Sequence, residues 1–344
     1  MVKIEWTASF ASNNGYAEAA RQYCIALKRL GADVITKSLD NKFLRGYEWM
    51  AEASQLKSDG HFPIMHDIPR KASRGYYTTF EFDKAPDGWA RVLKNAEVVM
   101  TPSQSSKDSM SNVCDIAKIH VVHHGVNEKF TPFGPSVTLE SDVDLPTFKF
   151  LSVFEWVERK CGDRLVKAFQ QAFNKDDDVG LFLKTGGSRT IPLAINKVPG
   201  CKIFILDGYV FDMAQLYREF DAYVSCSSGE GWGETLSEAM ACGLPTIATR
   251  NGGNLEFMND ENSFLVEPER WQPIGYNCLE PVIAPWMQHR PPLTSSIVNA
   301  MKRVFMDTAE AKRRARNARK VGQDFTWEKA AKKIIDIVEA IQHV

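Results

Sequence analysis

The chain has 344 residues, 44% of them hydrophobic and 25% charged, enough to bury two cores of roughly 150 residues each. Its formal net charge of −1 excludes a global pull toward nucleic acid or anionic membrane, although a local basic face stays open. Seven scattered cysteines, Cys24, Cys114, Cys161, Cys201, Cys226, Cys242 and Cys278, form an odd set without C-x-x-C spacing, which argues for reduced thiols in a cytoplasmic protein and against a zinc site or a disulfide frame.

No apolar run approaches about 18 residues, and Met1 to Trp6 begins a strand, so neither a signal peptide nor a membrane span is expected. Val2 to Trp6 reads as that strand, Tyr16 to Leu30 as an amphipathic helix stopped by Gly31, and Asp33 to Lys37 as a second strand. This is a βαβ start. The loop Ser9 to Tyr16 is not G-x-G-x-x-G, so a dinucleotide reading has little support, yet its place after the first strand points it into the ligand crevice of an open α/β sheet. Farther on, Tyr76 to Asp83 is followed by Pro86 to Trp89 and then by a strand running from Val98 into Thr101-Pro102-Ser103. Ile119 to Val126 carries the pair His123 and His124, with no carboxylate or third ligand at motif spacing, and so reads as structural or cleft-lining rather than metal-binding. The stretch Thr131 to Pro146 is proline-rich, acidic and aperiodic, and is taken as the domain boundary.

In the second half Phe148 to Phe154 reads as a strand, followed by Glu155 to Asp163 and a helix with Leu165, Ala168, Phe169 and Phe173 on one face. Further strands are expected near 180–184, 202–206, 221–225 and 245–249. The most informative stretch is Ser227 to Gly243. Here a strand runs into a loop with Gly231 and Gly233, and a helix follows from Glu234 to Cys242, stopped at Gly243. Glycines permit close backbone approach, and the new helix offers unpaired N–H groups and the positive end of its dipole to an anion such as a diphosphate. Glu230 lies in the loop and Glu238 about one turn inside the helix, suited to sugar hydroxyls and to a ribose diol respectively. The bland reading is a solvated helix start with favourably placed acids. A second glycine turn, Asn251 to Glu256, faces the same edge. Residues 267–292 form a Pro- and Trp-rich excursion of opaque role, the basic run Lys312 to Lys320 reads as a solvated helix face, and a final helix carries Ala331, Ile334, Ile335, Val338 and Ile341.

The run from Ser227 to Glu256 resembles the E-x7-E signature and following G-G-x-x-E turn of the retaining family 4 glycosyltransferases. That resemblance implies an α/β chain of the GT-B type, two Rossmann-like domains facing across a cleft. An amino-terminal acceptor domain would span 1–140, a nucleotide-sugar donor domain 147–325, and a terminal helix, 326–344, would return to the first. It implies Glu230, Arg159 and Lys160 as the catalytic set, with the two cations neutralising the donor diphosphate. Many relatives have arginine where this chain has Phe154 and glycine where it has Cys161, which makes Arg159 the substitute cation. Donor contacts follow for Glu238, Gly15, Gly231, Trp232, Gly233, Glu234, Thr235, Leu236, Tyr209 and Val210, with Glu234 a bystander to the chemistry. Residues 76–103 resemble landmarks of one subgroup and put Glu81 at the acceptor side of the cleft, where His124, from a strand resembling V-x-x-H-G-V, and Asn14, from the loop after the first strand, are also placed. For Glu81 a structural cap, and for Gly15 a plain turn, remain alternatives.

The implied reaction moves a hexose from a UDP- or GDP-sugar to an acceptor hydroxyl with retention, needing no metal and no cofactor beyond the donor. The acceptor class is open among saccharide, lipid, protein, small molecule and modified nucleic-acid base, and peripheral membrane contact is compatible. A sugar-nucleotide epimerase and a non-catalytic sugar-nucleotide-binding subunit are the alternatives. Metal-dependent enzymes of another fold use D-x-D, but Asp142-Val143-Asp144 lies in the boundary stretch, far from the glycine turns, and reads as a solvated loop.

Overall fold

The computed structural model describes residues 1–12, 14–139, 141, 143–186, 202–206, 208, 210, 212–275 and 286–342. They form two compact units, one of 1–125 with 325–344 and one of 126–324. The proline-rich stretch therefore belongs to the second unit, where Arg218 donates to the carbonyls of Thr131 and Pro135. The units part at Gly125 rather than within that stretch.

In the first unit, β1 (Lys3–Ala8), α1 (Gly15–Arg29), β2 (Asp33–Ser38), α2 (Glu48–Ala53), β3 (Phe62–His66), β4 (Gly75–Tyr77), α3 (Gly88–Leu93), β5 (Val98–Thr101), α4 (Gln104–Met110) and β6 (Ile119–Val121) alternate along the chain. The six strands lie in the order β2-β1-β3-β4-β5-β6, all parallel. Val98, Val99, Met100 and Thr101 are all buried, as expected of a strand covered on both faces. The core gathers Ile4 and Trp6 of β1, Tyr23 and Leu27 of α1, and Phe62 and Ile64 of β3.

The second unit contains β7 (Phe148–Glu155), α5 (Gly162–Ala172), β8 (Val179–Gly186), β9 (Ile203–Leu206), α6 (Met213–Arg218), β10 (Ala222–Ser225), α7 (Glu234–Ala241), β11 (Thr246–Thr249), β12 (Phe264–Val266), the short pair β13 (Gln272–Pro273) and β14 (Gln288–His289), α8 (Thr294–Met306), α9 (Thr308–Ala318) and α10 (Val321–Asp324). Its main sheet runs β12-β11-β10-β7-β8-β9, again all parallel. The chain builds outward from β7 in one direction, then restarts at β10 on the other side. That is the Rossmann order, with its switch point between β7 and β10. The basic run lies on α9, where Arg314 turns inward to Glu310 and to the Ser263 carbonyl, leaving Lys312, Arg313 and Arg316 exposed.

The last helix, α11 (Trp327–Gln342), belongs to the first unit and packs on α1. Its apolar face, Ala331, Ile334, Ile335 and Val338, joins that core, and Trp327 meets Tyr23 edge-on at 4.9 Å. Among the described residues no helix is long and apolar enough to cross a membrane.

Candidate active site

In an open α/β sheet, ligands bind beyond the carboxyl ends of the strands at the switch point. Here the loops after β7 and β10 flank it, and they hold the two charged segments that the sequence singles out. After β7 the chain makes one 3₁₀ turn, Glu158–Lys160, before α5. After β10 it runs through Cys226 to Gly233 into α7. One backbone carbonyl ties the loops together: Arg159 O accepts from Ser228 N at 2.8 Å and from Ser228 Oγ at 3.0 Å, with Cys161 Sγ at 3.6 Å.

That tie sets Lys160 Nζ 2.5 Å from Glu230 Oε1, while Arg159 Nη1 donates to Gly229 O at 2.9 Å and lies 3.8 Å from Glu230 Oε2. Glu230 is only 9% exposed. Burial pushes its carboxyl up, but the Lys160 and Arg159 charges, with hydrogen bonds from Lys160 and Ser227, outweigh it and hold the group below its ordinary value. Two cations against one carboxylate leave the cluster with one net positive charge.

Glu230 is braced from the far side by the second glycine turn. Gly253 N donates to Glu230 O at 2.7 Å, and Asn251 Nδ2 donates to Ser228 O at 2.6 Å. Gly252 has φ 94° and ψ −164°, a region open essentially to glycine alone. A Cβ there would lie 2.8 Å from Glu230 N and 2.9 Å from Glu230 O.

Gly233, at φ 96°, turns the chain into α7. Trp232 is buried with its ring 4.8 Å from that of Phe257, and Leu236 is buried beneath the first turn, so Gly231, Glu234 and Thr235 are carried on a fixed frame. On the next turn Glu238 is half-buried and accepts a 2.9 Å hydrogen bond from Tyr217 on α6. Burial first, and then the Glu238 charge, push the Tyr217 phenol well up, so it stays a donor. Val210 is half-buried beyond β9, and Lys184 holds the Gly208 carbonyl at 2.6 Å; Tyr209 lies outside the described residues.

The two departures from the family pattern have clear structural outcomes. Cys161 adopts the left-handed conformation, φ 51° and ψ 38°, where glycine would be unstrained. Phe154 packs on Trp156 at 5.3 Å and sits over Gly162, so it contributes bulk and no charge.

The remaining residues singled out from sequence lie in the first unit. Asn14 Oδ1 accepts Ala17 N at 3.0 Å and caps α1, of which Gly15 is the first residue. Glu81 is half-buried after β4, near enough to Tyr16 to help raise that phenol's pKa, although burial is the larger cause. His124 is enclosed by the rings of Tyr23, Tyr77 and Trp327, and burial pushes its pKa down to about 3, so it stays neutral. Of the D-x-D residues Asp142 lies outside the described residues and Asp144 is exposed; no group of three or more His, Cys, Asp or Glu among the described residues is arranged to hold a metal ion. The sequence reading missed Tyr217 behind Glu238, the Ser228 anchor, Glu158, which holds the Gly275 amide at 2.7 Å, and His289 against Ser228 at 2.8 Å. Ser228 lies inside the motif and was within reach. The other three carry no local signal.

Residues 146–278 match the family described as glycosyl transferases group 1. That match takes in both charged loops of the site and less than half of the chain. A D-inositol 3-phosphate glycosyltransferase of Xylanimonas cellulosilytica is 26% identical to this chain over 270 residues, 73% of the chain, and the chain spans 58% of that relative's length. Among solved structures, a glycosyltransferase from Rickettsia africae superposes with a TM-score of 0.69 at 18% identity, covering 99% of each chain. HepE of Anabaena, solved with UDP and glucose, superposes at 0.68 and 15% identity over 99% of this chain and all of that one. These likenesses establish the GT-B fold.

Proposed function

We propose that the protein is a retaining glycosyltransferase that moves a hexose from a UDP- or GDP-sugar to an acceptor hydroxyl without a metal ion. The observation that carries this reading is the Lys160, Arg159 and Glu230 cluster at the β7/β10 switch point, next to the start of α7. Lys160 and Arg159, with the N–H groups that open α7, take the place a metal has elsewhere and stabilise charge on the departing diphosphate. Glu230 orients the donor sugar, and Glu238, steadied by Tyr217, takes the ribose diol. The C1 to phosphate-oxygen bond breaks as the acceptor oxygen bonds C1 on the same face. The acceptor proton passes to the leaving phosphate, so no dedicated base is needed. The inositol phosphate named for the Xylanimonas relative makes a polyol phosphate the first acceptor to assay.

The test is incubation with UDP- and GDP-hexoses in the presence and absence of chelator, following nucleoside diphosphate release and the anomeric form of the product. The expected result is release that survives chelation and an anomer matching the donor. Conversion of the donor sugar to its epimer, with no diphosphate released, would contradict the reading.

A further inference from the structure

We propose that His289 is a positioning residue for this site, acting on Glu230 and Lys160 through Ser228 and the Arg159 carbonyl. The inference rests on the donor-site reading above. His289 belongs to β14, which pairs antiparallel with β13 so that His289 faces Gln272. Two anchors fasten this excursion to the elements that carry the site. Glu158 holds the Gly275 amide at 2.7 Å, and Arg164 of α5 grips Glu269 through both carboxylate oxygens, at 2.6 and 3.2 Å, and donates to Pro292 O at 3.1 Å.

The third contact differs because it enters the site loop. His289 Nδ1 lies 2.8 Å from Ser228 Oγ; the histidine is 5% exposed and the serine fully buried. A serine hydroxyl has one hydrogen and two acceptor positions. When that hydrogen goes to Arg159 O, at 3.0 Å, the Nδ1–H of His289 supplies the second bond, and the hydroxyl rotor is locked. Without the imidazole a buried oxygen loses its partner, and the rotor is free to leave Arg159 O. Arg159 immediately precedes Lys160, and Ser228 lies two residues before Glu230, so both sides of the 2.5 Å ion pair are placed by one carbonyl. The charged groups acting on the ring are Glu158 of the 3₁₀ turn, Arg164 of α5 and Glu269 of the excursion; burial, helped by the Arg164 charge, outweighs the two carboxylates and leaves the histidine below its ordinary pKa. The ring therefore works as a neutral hydrogen-bonding group.

A His289 that only fastened the excursion would not change the loop after β10. The test compares wild type with His289→Ala, His289→Asn, whose amide can replace Nδ1–H, and Ser228→Ala, which removes the same bond from the other side. Amide hydrogen exchange of the peptide covering 226–233 should speed up about tenfold in His289→Ala and Ser228→Ala, the worth of one buried hydrogen bond, and return toward wild type in His289→Asn. With a donor that the wild type turns over, kcat should fall about tenfold in His289→Ala while donor KM stays within about twofold, and His289→Asn should recover most of it. Unchanged exchange at 226–233 in a folded His289→Ala, or a kcat that His289→Asn does not restore although its thermal midpoint recovers, would overturn the proposal. The exchange measurement needs no donor. A wild type that binds no nucleotide sugar, together with loosened exchange in the variants, would therefore sink the donor-site reading while leaving the coupling of His289 to this loop in place.

Discussion

Glu230 sits where burial alone would neutralise it, and Lys160 and Arg159 reverse that outcome. Its folded pKa is below the ordinary 4.5, so its stabilising contribution is present above about that pH and is lost as the pH falls through the lower, folded value. Thermal midpoints measured from pH 6 to pH 3 should therefore drop less steeply for Glu230→Gln than for wild type; parallel curves would mean the carboxylate is not held down. Removing the cation is the harsher change. Lys160→Met leaves a buried carboxylate with Arg159 as its near cation at 3.8 Å, and is expected to cost about 2 kcal/mol in urea unfolding, less than a fully stranded charge because that guanidinium remains. Cys161 supplies a backbone test in the same turn. At φ 51° a side chain costs about 1 kcal/mol, which glycine would return while giving up the packing of a buried thiol. Cys161→Gly should thus stay within about 1 kcal/mol of wild type, whereas Cys161→Val, β-branched in a left-handed conformation, should lose about 2 kcal/mol or more.

The elements depend on contacts that arrive from far along the chain. Gly252 lies close against the Glu230 backbone, and Gly252→Ala is expected to cost about 3 kcal/mol, combining the φ penalty with a Cβ pressed on two backbone atoms. The loss should appear in urea unfolding and in nucleotide affinity together. Helix α11 is held to the first unit by Trp327, ringed by Tyr23 and His124; Trp327→Ala should destabilise that unit by about 3 to 5 kcal/mol, read as an earlier unfolding transition. The strands were legible because parallel strands buried on both faces make short apolar runs, such as Val98 to Thr101. The start of α7 was legible because loop glycines, acids and helical apolar spacing coincide between Gly231 and Met240. The links from Tyr217 to Glu238, from Glu158 to Gly275 and from His289 to Ser228 were not, since they join residues 21, 117 and 61 positions apart, each through a single hydrogen bond. Periodicity does not register such pairs. His123 and His124 look alike in sequence, yet burial among aromatic rings drives His124 down to about 3, whereas His123 points its Nδ1 at the Pro102 carbonyl.

For the whole molecule, the GT-B fold follows from two parallel six-stranded sheets and a last helix returned to the first unit. The second sheet has its switch point where Lys160 and Glu230 meet, which makes the carboxyl-terminal unit the place to look for donor binding. A ligand that binds only the folded state raises its stability by RT ln(1 + [L]/Kd), about 2.7 kcal/mol at a hundredfold excess over Kd. For a unit of this size that amounts to a rise of roughly 5 to 10 °C in its midpoint. The most direct measurement is therefore a thermal-shift panel of UDP- and GDP-hexoses on wild type, Lys160→Met and Glu238→Ala. The account predicts a rise of several degrees with at least one nucleotide sugar in the wild type, sharply reduced in both variants. No shift with any of them, or an equal shift in wild type and both variants, would contradict it.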